Sequence, residues 1–233
     1  MRKQLRRLIP RYAAFPLMMT GVMNLFAYQL PKLFQLFLDP SEMHDMTTSF
    51  DAATPFLPGW VWVYVATFVF WTYQNVTVAQ ESPEAANRLF AADFPAHFIC
   101  FLFFVFLPTT NVRPEVIGTG MTAWLMRFIY WIDTPMNLFP SIHCYVAWLG
   151  TRLMYDCKTL KHKTPVCIAC TVGSLLVFLS TLFTKQHVIW DVLAGIAVAE
   201  LGYGIAKYTR FPALLGRLNE RFMSTKLGHF LCD

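Results

Sequence analysis

The chain has 233 residues, of which 56% are hydrophobic and only 14% are charged, whereas an ordinary soluble domain carries about a quarter charged residues. This composition excludes an ordinary soluble domain and favours a protein embedded in a membrane. The net charge of +5 does not indicate nucleic-acid binding, because the basic residues form no surface interleaved with aromatic side chains for stacking on bases. No nucleic-acid partner is therefore predicted.

Six stretches with little or no charge predict helices that cross a membrane, since a span needs about 20 mostly apolar residues. In chain order they cover residues 12–31, 52–80, 94–112, 134–151, 164–184 and 192–206, the last interrupted only by Glu200. We expect an all-α polytopic membrane protein, a six-transmembrane-helix bundle that forms a single domain over residues 1–233.

Basic residues are distributed unevenly between the two sides of this six-span arrangement. Fifteen of the 19 Lys and Arg residues fall on the side of the two termini, and the other four are Lys32, Arg113, Arg127 and Lys185. Because Lys and Arg are enriched in cytoplasmic loops, both termini are predicted to be cytoplasmic. We expect the protein in the plasma membrane.

The segment 119–137, just before the fourth predicted span, has a different pattern. Its apolar residues recur at roughly helical spacing, and they are Trp124, Leu125, Phe128, Ile129 and Ile132. We expect a short amphipathic helix along the outer face. Tyr130, Asp133 and Asn137 also lie in this segment, and a structural role is preferred for them over a role in a pocket.

Two histidines stand beside polar or cationic groups in an otherwise apolar chain. His187 precedes Asp191 by four residues, so in a helix both side chains lie on one face. The carboxylate can hold one imidazole nitrogen as N–H and leave the other nitrogen free to attack. His143 comes from another segment and can serve as the acid or base. The predicted topology places Arg113, His143 and His187 together at the outer ends of spans.

A metal site is the alternative for His143, His187 and Asp191, whose side chains are all possible ligands. This alternative leaves Arg113 unexplained and ranks below a metal-free site. The two cysteines of the segment 167–170 have the spacing of a metal or redox pair, but no second pair accompanies them. They are interpreted as small packing residues of a helix, and no metal or other cofactor is predicted.

Three motifs occur in order between residues 106 and 195. They are Arg113-Pro114, the Pro-Ser-Ile-His segment 140–143, and Ser180 followed by His187 and Asp191. Together they resemble the three signatures of the type-2 phosphatidic acid phosphatase superfamily, KxxxxxxRP, PSGH and SRxxxxxHxxxD. The resemblance implies the membrane branch of lipid phosphatases and lipid phosphotransferases, and the chain is also similar to inositol-phosphorylceramide synthases.

The resemblance also implies roles for the matching residues. His187 is the expected nucleophile that forms a phosphohistidine, and Asp191 orients it. His143 is expected to protonate the leaving alkoxide and then to activate the water or alcohol. Arg113 offers a planar fork to the phosphoryl oxygens, and Ser141 can add a donor at a helix start, where the helix dipole favours an anion.

The chain departs from these signatures at three positions. Phe106, Ile142 and Thr181 stand where the superfamily has lysine, glycine and arginine. Two phosphate-binding cations are therefore missing, and Lys185 is our candidate for a substitute that binds phosphate.

Three functions are compatible with these residues. The first is a lipid phosphatase acting on phosphatidate, phosphatidylglycerol phosphate or a polyprenyl (di)phosphate taken from the bilayer, with its active site on the outer face. The second is a lipid phosphotransferase that moves a phospho-headgroup between lipids, since a phosphodiester donor carries less charge and needs fewer cations. The third is a transporter or scaffold that kept the fold, against which the intact histidines and aspartate argue. The oligomeric state is left open.

Overall fold

The computed structural model describes residues 9–35, 37, 39–226 and 228, and this part of the chain is mostly helical. Its α-helices, numbered in chain order, are α1 (Arg11–Gln35), α2 (Ser49–Ala53), α3 (Val61–Glu81), α4 (Pro83–Phe106), α5 (Met121–Ile132), α6 (Ile142–Asp156), α7 (Lys163–Phe183), α8 (Ile189–Tyr208) and α9 (Phe211–Met223). Two short 3₁₀ turns cover Pro40–Glu42 and Pro58–Trp60, and the two-residue strands β1 (His44–Asp45) and β2 (Thr109–Thr110) pair in parallel. The prediction of a helical fold is confirmed.

Three helices in the described part of the chain are long and apolar enough to cross a membrane, namely α4, α7 and α8. They indicate a membrane-embedded protein. Helices α1, α3 and α6 fall within or overlap the other three predicted runs, but they are not long and apolar enough to be identified as spans on the same basis. Helix α6 has 15 residues and so measures about 22 Å, less than a hydrocarbon core of about 30 Å. Six spans therefore stay a prediction.

Orientation in the membrane also stays a prediction. Four of the basic residues that support cytoplasmic termini lie outside the described residues, and these are Arg2, Lys3, Arg6 and Arg7. The rest of the basic residues counted on that side lie within the described part of the chain.

Helix α4 is the centre of the bundle, since α1, α3, α8 and α9 all pack against it. Its Ala91, Ala92 and Ala96 are fully buried, and small residues allow helices to approach closely. Gly202 of α8 lies against the backbone carbonyl of Ala92, where a Cβ atom would overlap with it. Helices α6 and α7 complete the core by packing on each other and on α3, and α6 also packs on α8.

A buried polar cluster joins α4 to α6. Asp93 and His97 are one turn apart on α4, and Asp93 Oδ2 lies 2.9 Å from His97 Nδ1. Tyr145 of α6 donates from its hydroxyl to Asp93 Oδ1 at 3.1 Å and also contacts His97. All three side chains are buried, so this cluster links the two helices within the core.

The amphipathic segment before α6 forms α5, which is 12 residues long and lies inside the predicted range 119–137. It buries Ala123, Met126 and Ile129. Helices α2 and α9 had no predicted counterpart. Helix α2 is stabilised by a capping box between Thr48 and Asp51. Because it spans only five residues, it is too short to show a helical period in its hydrophobic residues.

Candidate active site

The turn between α7 and α8 carries the third motif and presents His187 to the interior. The backbone N–H groups of Gln186 and His187 both donate to the carbonyl of Thr181, at 2.9 and 3.2 Å. Lys185 has a left-handed backbone, with φ of 54°, which is uncommon for a residue that has a side chain. These contacts hold the turn in place, and His187 is only 7% exposed.

Asp191, in the first turn of α8, orients the imidazole of His187. Its Oδ2 atom accepts from His187 Nδ1 at 3.1 Å and from the backbone N–H of Val188 at 3.0 Å. Because an ionised carboxylate can only accept hydrogen bonds, Nδ1 carries the hydrogen and Nε2 keeps its lone pair. The predicted contact between the two side chains is present, and it leaves one nitrogen of His187 available as a nucleophile.

The start of α6 lies directly against the start of α8, which joins the second and third motifs. The backbone N–H of Ser141 donates to the carbonyl of Asp191 at 3.0 Å. One turn further along α8 stands Gly195, where a Cβ atom would lie 2.6 Å from the carbonyl oxygen of Ser141. Only glycine permits this approach, which brings the rings of His143 and His187 to a centre-to-centre distance of 5.7 Å.

Aromatic side chains of α3 surround the imidazole of His143. The ring centres of Tyr64, Trp71 and Phe68 lie 4.6, 5.2 and 6.0 Å from that of His143. The Nε2 atom of His143 is buried and has no hydrogen-bond partner among the described residues. The imidazole is therefore fixed by packing, while this nitrogen is left for a ligand.

Arg113, His143, Gln186 and His187 line one cavity of about 340 Å³, enclosed by α1, α3, α5 and the start of α6. Several buried polar atoms in it have no partner within the described part of the chain, namely Arg113 Nε and Nη2, His143 Nε2 and both amide atoms of Gln186. Buried polar atoms are nearly always paired. A ligand that presents several acceptor oxygens, such as a phosphoryl group, would pair the donors among them.

Arg113 is held at the edge of this cavity by Asp133 and Tyr130. Its Nη1 donates to the backbone carbonyl of Asp133, and its guanidinium carbon lies 4.9 Å from the ring centre of Tyr130. Burial lowers the pKa of Arg113 below its ordinary value, but a guanidinium stays charged at any physiological pH. Arg113 therefore supplies a fixed positive charge with two free donor atoms.

Asp133 brings a negative charge to the same cavity. Its carboxylate accepts hydrogen bonds from the hydroxyls of Tyr28 and Tyr64, the second at 2.7 Å. Burial alone would raise the pKa of Asp133, but the His143 imidazole, the two tyrosine hydroxyls and Arg113 together lower it below its ordinary value. Asp133 is thus ionised at neutral pH and draws α1, α3 and α5 together around the cavity.

Two residues predicted as phosphate ligands lie elsewhere. Ser141 is fully buried at the start of α6, where its hydroxyl accepts the backbone N–H of Cys144 at 3.3 Å, and it does not line the cavity. Lys185 Nζ donates to the carbonyls of Asp51 and Thr54, both at 2.6 Å. Burial lowers the pKa of Lys185.

Lys185 lines a second cavity of about 500 Å³. Arg113 and His187 also line this cavity, so these two residues border both spaces. The structure therefore brings Arg113, His143, His187 and Asp191 together as predicted, while Lys185 and Ser141 contact the site only from outside the first cavity.

The residues that stand where the superfamily pattern has lysine and arginine, Phe106 and Thr181, do not bring a positive charge to the cavity. Phe106 is 79% exposed at the end of α4, and the buried Thr181 donates its hydroxyl to the carbonyl of Phe178. The sequence motifs give Gln186 no role, and Asp133, for which the sequence predicts a structural role, also lines the cavity. A polar residue directly before His187 was the available signal for Gln186, and an acid at the end of the amphipathic segment was the signal for Asp133.

No model of a known protein family, no curated protein and no solved structure matches this chain. The resemblance to the phosphatase superfamily accordingly depends on the motif residues alone. Within the described residues, no group of three or more His, Cys, Asp and Glu side chains is placed to hold a metal ion. Metal independence stays a prediction.

Proposed function

We propose that this protein is an integral membrane lipid phosphatase of the type-2 phosphatidic acid phosphatase superfamily, which removes phosphate from a lipid phosphate through a phosphohistidine at His187. One observation carries the proposal. A single cavity contains an imidazole oriented by a carboxylate, a second imidazole within 5.7 Å of it, and buried donor atoms of Arg113 and Gln186 that lack partners.

In the first step, the lone pair of His187 Nε2 attacks phosphorus and the ester P–O bond breaks. Asp191 holds Nδ1–H and stabilises the positive charge that develops on the imidazole. The leaving alkoxide takes a proton from His143, which produces the free lipid alcohol. Arg113 stabilises the charge on the equatorial oxygens, where phosphoryl transfer concentrates its need for positive charge.

In the second step, His143 takes a proton from a water molecule that attacks the phosphorus of the phosphohistidine. The P–N bond breaks, and its electron pair returns to His187 Nε2. The sum is a lipid phosphate plus water giving a lipid alcohol plus inorganic phosphate, and both histidines end in their starting states. No step requires a metal ion.

The arrangement of the cavity supports a substrate that enters from the bilayer. Leu25 of α1 and Phe68 of α3 line the cavity and are both exposed at the protein surface. A lipid tail can extend past these side chains while its phosphate reaches His187. In the proposal, α1, α3 and α6 complete a six-span bundle with the site at the outer leaflet of the plasma membrane.

The test is turnover by the purified protein in detergent micelles containing a chelator. Short-chain phosphatidate, phosphatidylglycerol phosphate and a polyprenyl diphosphate are offered separately, and free phosphate is measured. We expect release from at least one of them, inhibition by orthovanadate, and an acid-labile phosphate on His187 by mass spectrometry. His187→Ala should abolish phosphate release. His44→Ala should not, because His44 is exposed and lines neither cavity.

Absence of phosphate release from all three lipids, or unchanged release by His187→Ala, would contradict the proposal. Orientation is tested separately with a membrane-impermeant substrate analogue added to intact cells or to inverted vesicles. Hydrolysis in the inverted vesicles alone would place the site on the cytoplasmic side.

A second candidate, lipid phosphotransfer, is favoured by the charge inside the cavity. Arg113 is the sole Lys or Arg among the described residues that line it, and Asp133 contributes an opposite charge. This balance suits a phosphodiester, which carries one negative charge. Incubation with a labelled phospholipid and candidate alcohol acceptors distinguishes the two, because transfer gives a new labelled lipid without free phosphate.

A further inference from the structure

Gln186 is the most unusual buried amide in the described part of the chain. It is 1% exposed, its backbone is held by the bond from its N–H to Thr181, and its side chain lines the cavity beside His143 and His187. Neither its Nε2 nor its Oε1 has a hydrogen-bond partner among the residues that the structure describes. The sequence motifs assign no role to this position.

The other buried glutamines offer a direct comparison. Gln35 Nε2 donates to the carbonyl of Phe104 at 2.9 Å, and Gln74 Nε2 donates to the hydroxyl of Thr151 at 2.9 Å. Each therefore satisfies its amide nitrogen within the protein, whereas Gln186 does not. A buried amide without partners destabilises the folded state, and such groups persist where they serve a ligand.

We propose that Gln186 Nε2 donates a hydrogen bond to a non-bridging phosphoryl oxygen of the substrate and thereby determines how much negative charge the site accepts. The inference rests on the proposed phosphohistidine chemistry and adds a residue to it. In this arrangement one guanidinium and one neutral amide bind the phosphoryl oxygens, where the superfamily pattern supplies further cations.

The charges around the cavity give this amide its significance. Lys185 Nζ donates to two carbonyls outside the cavity. Lys32 Nζ lies 4.0 Å from the ring centre of Tyr28, and Lys32 does not line the cavity. Inside, the charge of Arg113 is opposed by the ionised Asp133. A phosphomonoester is largely doubly charged near pH 7, whereas a phosphodiester carries a single charge. Because the amide of Gln186 is neutral, it favours the doubly charged monoester over the diester less than a second cation would.

The experiment compares two glutamine-to-methionine variants, since methionine has similar length and no hydrogen-bonding amide. Purified Gln186→Met and Gln74→Met are measured for thermal unfolding, for kcat on short-chain phosphatidate and for inhibition by orthovanadate. We expect Gln186→Met to unfold at the wild-type temperature or above, because no internal hydrogen bond is lost. Its kcat should fall about 100-fold, the usual effect of removing one transition-state donor, and vanadate inhibition should weaken at least tenfold.

Gln74→Met should behave in the opposite way, because its hydrogen bonds belong to the core. Its unfolding temperature should fall while the activity of the folded protein and its inhibition by vanadate stay unchanged. A Gln186→Lys variant adds a positive charge to the cavity, which should favour the monoester phosphatidate over the diester phosphatidylcholine. We expect the ratio of kcat/KM for phosphatidate to kcat/KM for phosphatidylcholine to rise at least tenfold, with total P–O cleavage as the measured rate for both lipids.

The outcomes separate this inference from the proposed function. Wild-type kcat and vanadate inhibition in Gln186→Met, or a lowered unfolding temperature with unchanged turnover, would overturn the role of Gln186 and leave the phosphohistidine chemistry standing. An unchanged substrate ratio in folded, active Gln186→Lys would overturn its control of charge. A wild-type protein that neither binds vanadate nor cleaves any lipid phosphate would overturn both.

Discussion

Replacement of Asp191 by asparagine tests the central contact of the site, because it removes one charge and changes little else. Oδ2 of Asp191 holds both His187 Nδ1 and the backbone N–H of Val188. The amide oxygen of asparagine can occupy the same position, since the Val188 N–H requires an acceptor there. Asp191 is the third residue of α8 and accepts from the backbone N–H of the N-cap residue Val188. Asparagine keeps this acceptor and loses only the favourable interaction of a negative charge with the helix dipole, so the stability of α8 should fall by less than about 1 kcal/mol.

The expected effect on catalysis follows from the lost charge. When His187 is phosphorylated, its ring becomes positive at a distance of about 4 Å from the carboxylate, and two unit charges at that distance interact by about 4 kcal/mol at the effective dielectric of such sites. Each 1.36 kcal/mol corresponds to a tenfold change in rate. Asp191→Asn should therefore lower kcat roughly 10³-fold and reduce the trapped phosphohistidine correspondingly.

Asp93→Asn is the matched control, because Asp93 and His97 form the same kind of buried contact between residues four apart, with Oδ2 2.9 Å from Nδ1. Neither residue lines the cavity. This variant should lose stability, but its kcat per folded molecule should stay within threefold of wild type. Single-turnover rates on short-chain phosphatidate, normalised to folded protein, are the measurement. A kcat for Asp191→Asn within tenfold of wild type, or an equal loss in Asp93→Asn, would refute the assignment of Asp191.

Three further predictions concern other residues of the site. His143→Gln should lower kcat by about 10²–10⁴-fold, because the leaving alkoxide loses its proton donor, while inhibition by vanadate stays within threefold of wild type; an equal loss of vanadate binding would contradict a role in proton transfer. Asp133→Asn should destabilise the protein at neutral pH by about 1–3 kcal/mol, since two tyrosine hydroxyls lose an ionic acceptor. The pKa of Asp133 is lowered in the folded state. Its contribution to the free energy of unfolding is therefore present above the ordinary pKa of about 3.9 and is lost as the pH falls through the folded-state pKa. Thermal unfolding of the wild type and of Asp133→Asn at several pH values should show that their difference in unfolding temperature becomes smaller in acid. Ser141→Ala should lower stability by about 1 kcal/mol through loss of the cap on α6 with little change in KM for phosphatidate, and a KM increase above tenfold would instead place its hydroxyl on the phosphate.

The helical fold could be predicted from the sequence because uncharged runs of about 20 residues leave few alternatives in a membrane. Helices α4 and α7 came from such runs, and α8 came from the shorter run 192–206, which Glu200 interrupts. Helix α6 is different, since the predicted run 134–151 includes a non-helical stretch that ends in Ser141, where the helix is capped. A hydropathy average over the run does not detect where the non-helical backbone ends and the helix begins, because hydropathy depends on composition and not on hydrogen bonding. The sequence nevertheless predicts a helix start at Ser141, and the structure adds the cap on this start and its contact with α8.

The site was predictable where its geometry is local, and it was not where it depends on the path of the backbone. His187 and Asp191 meet because four residues in a helix amount to about one turn. Lys185 and Gln186 are adjacent, yet the left-handed backbone of Lys185 sends its side chain to the second cavity, while that of Gln186 enters the first. The sequence favours Lys185 as a phosphate ligand because it is charged and lies two residues before His187. The sequence does not show which of the two adjacent side chains points into the first cavity. A cation was therefore expected in the first cavity, where the structure has an amide, and the Gln186→Lys variant measures the consequence of that difference.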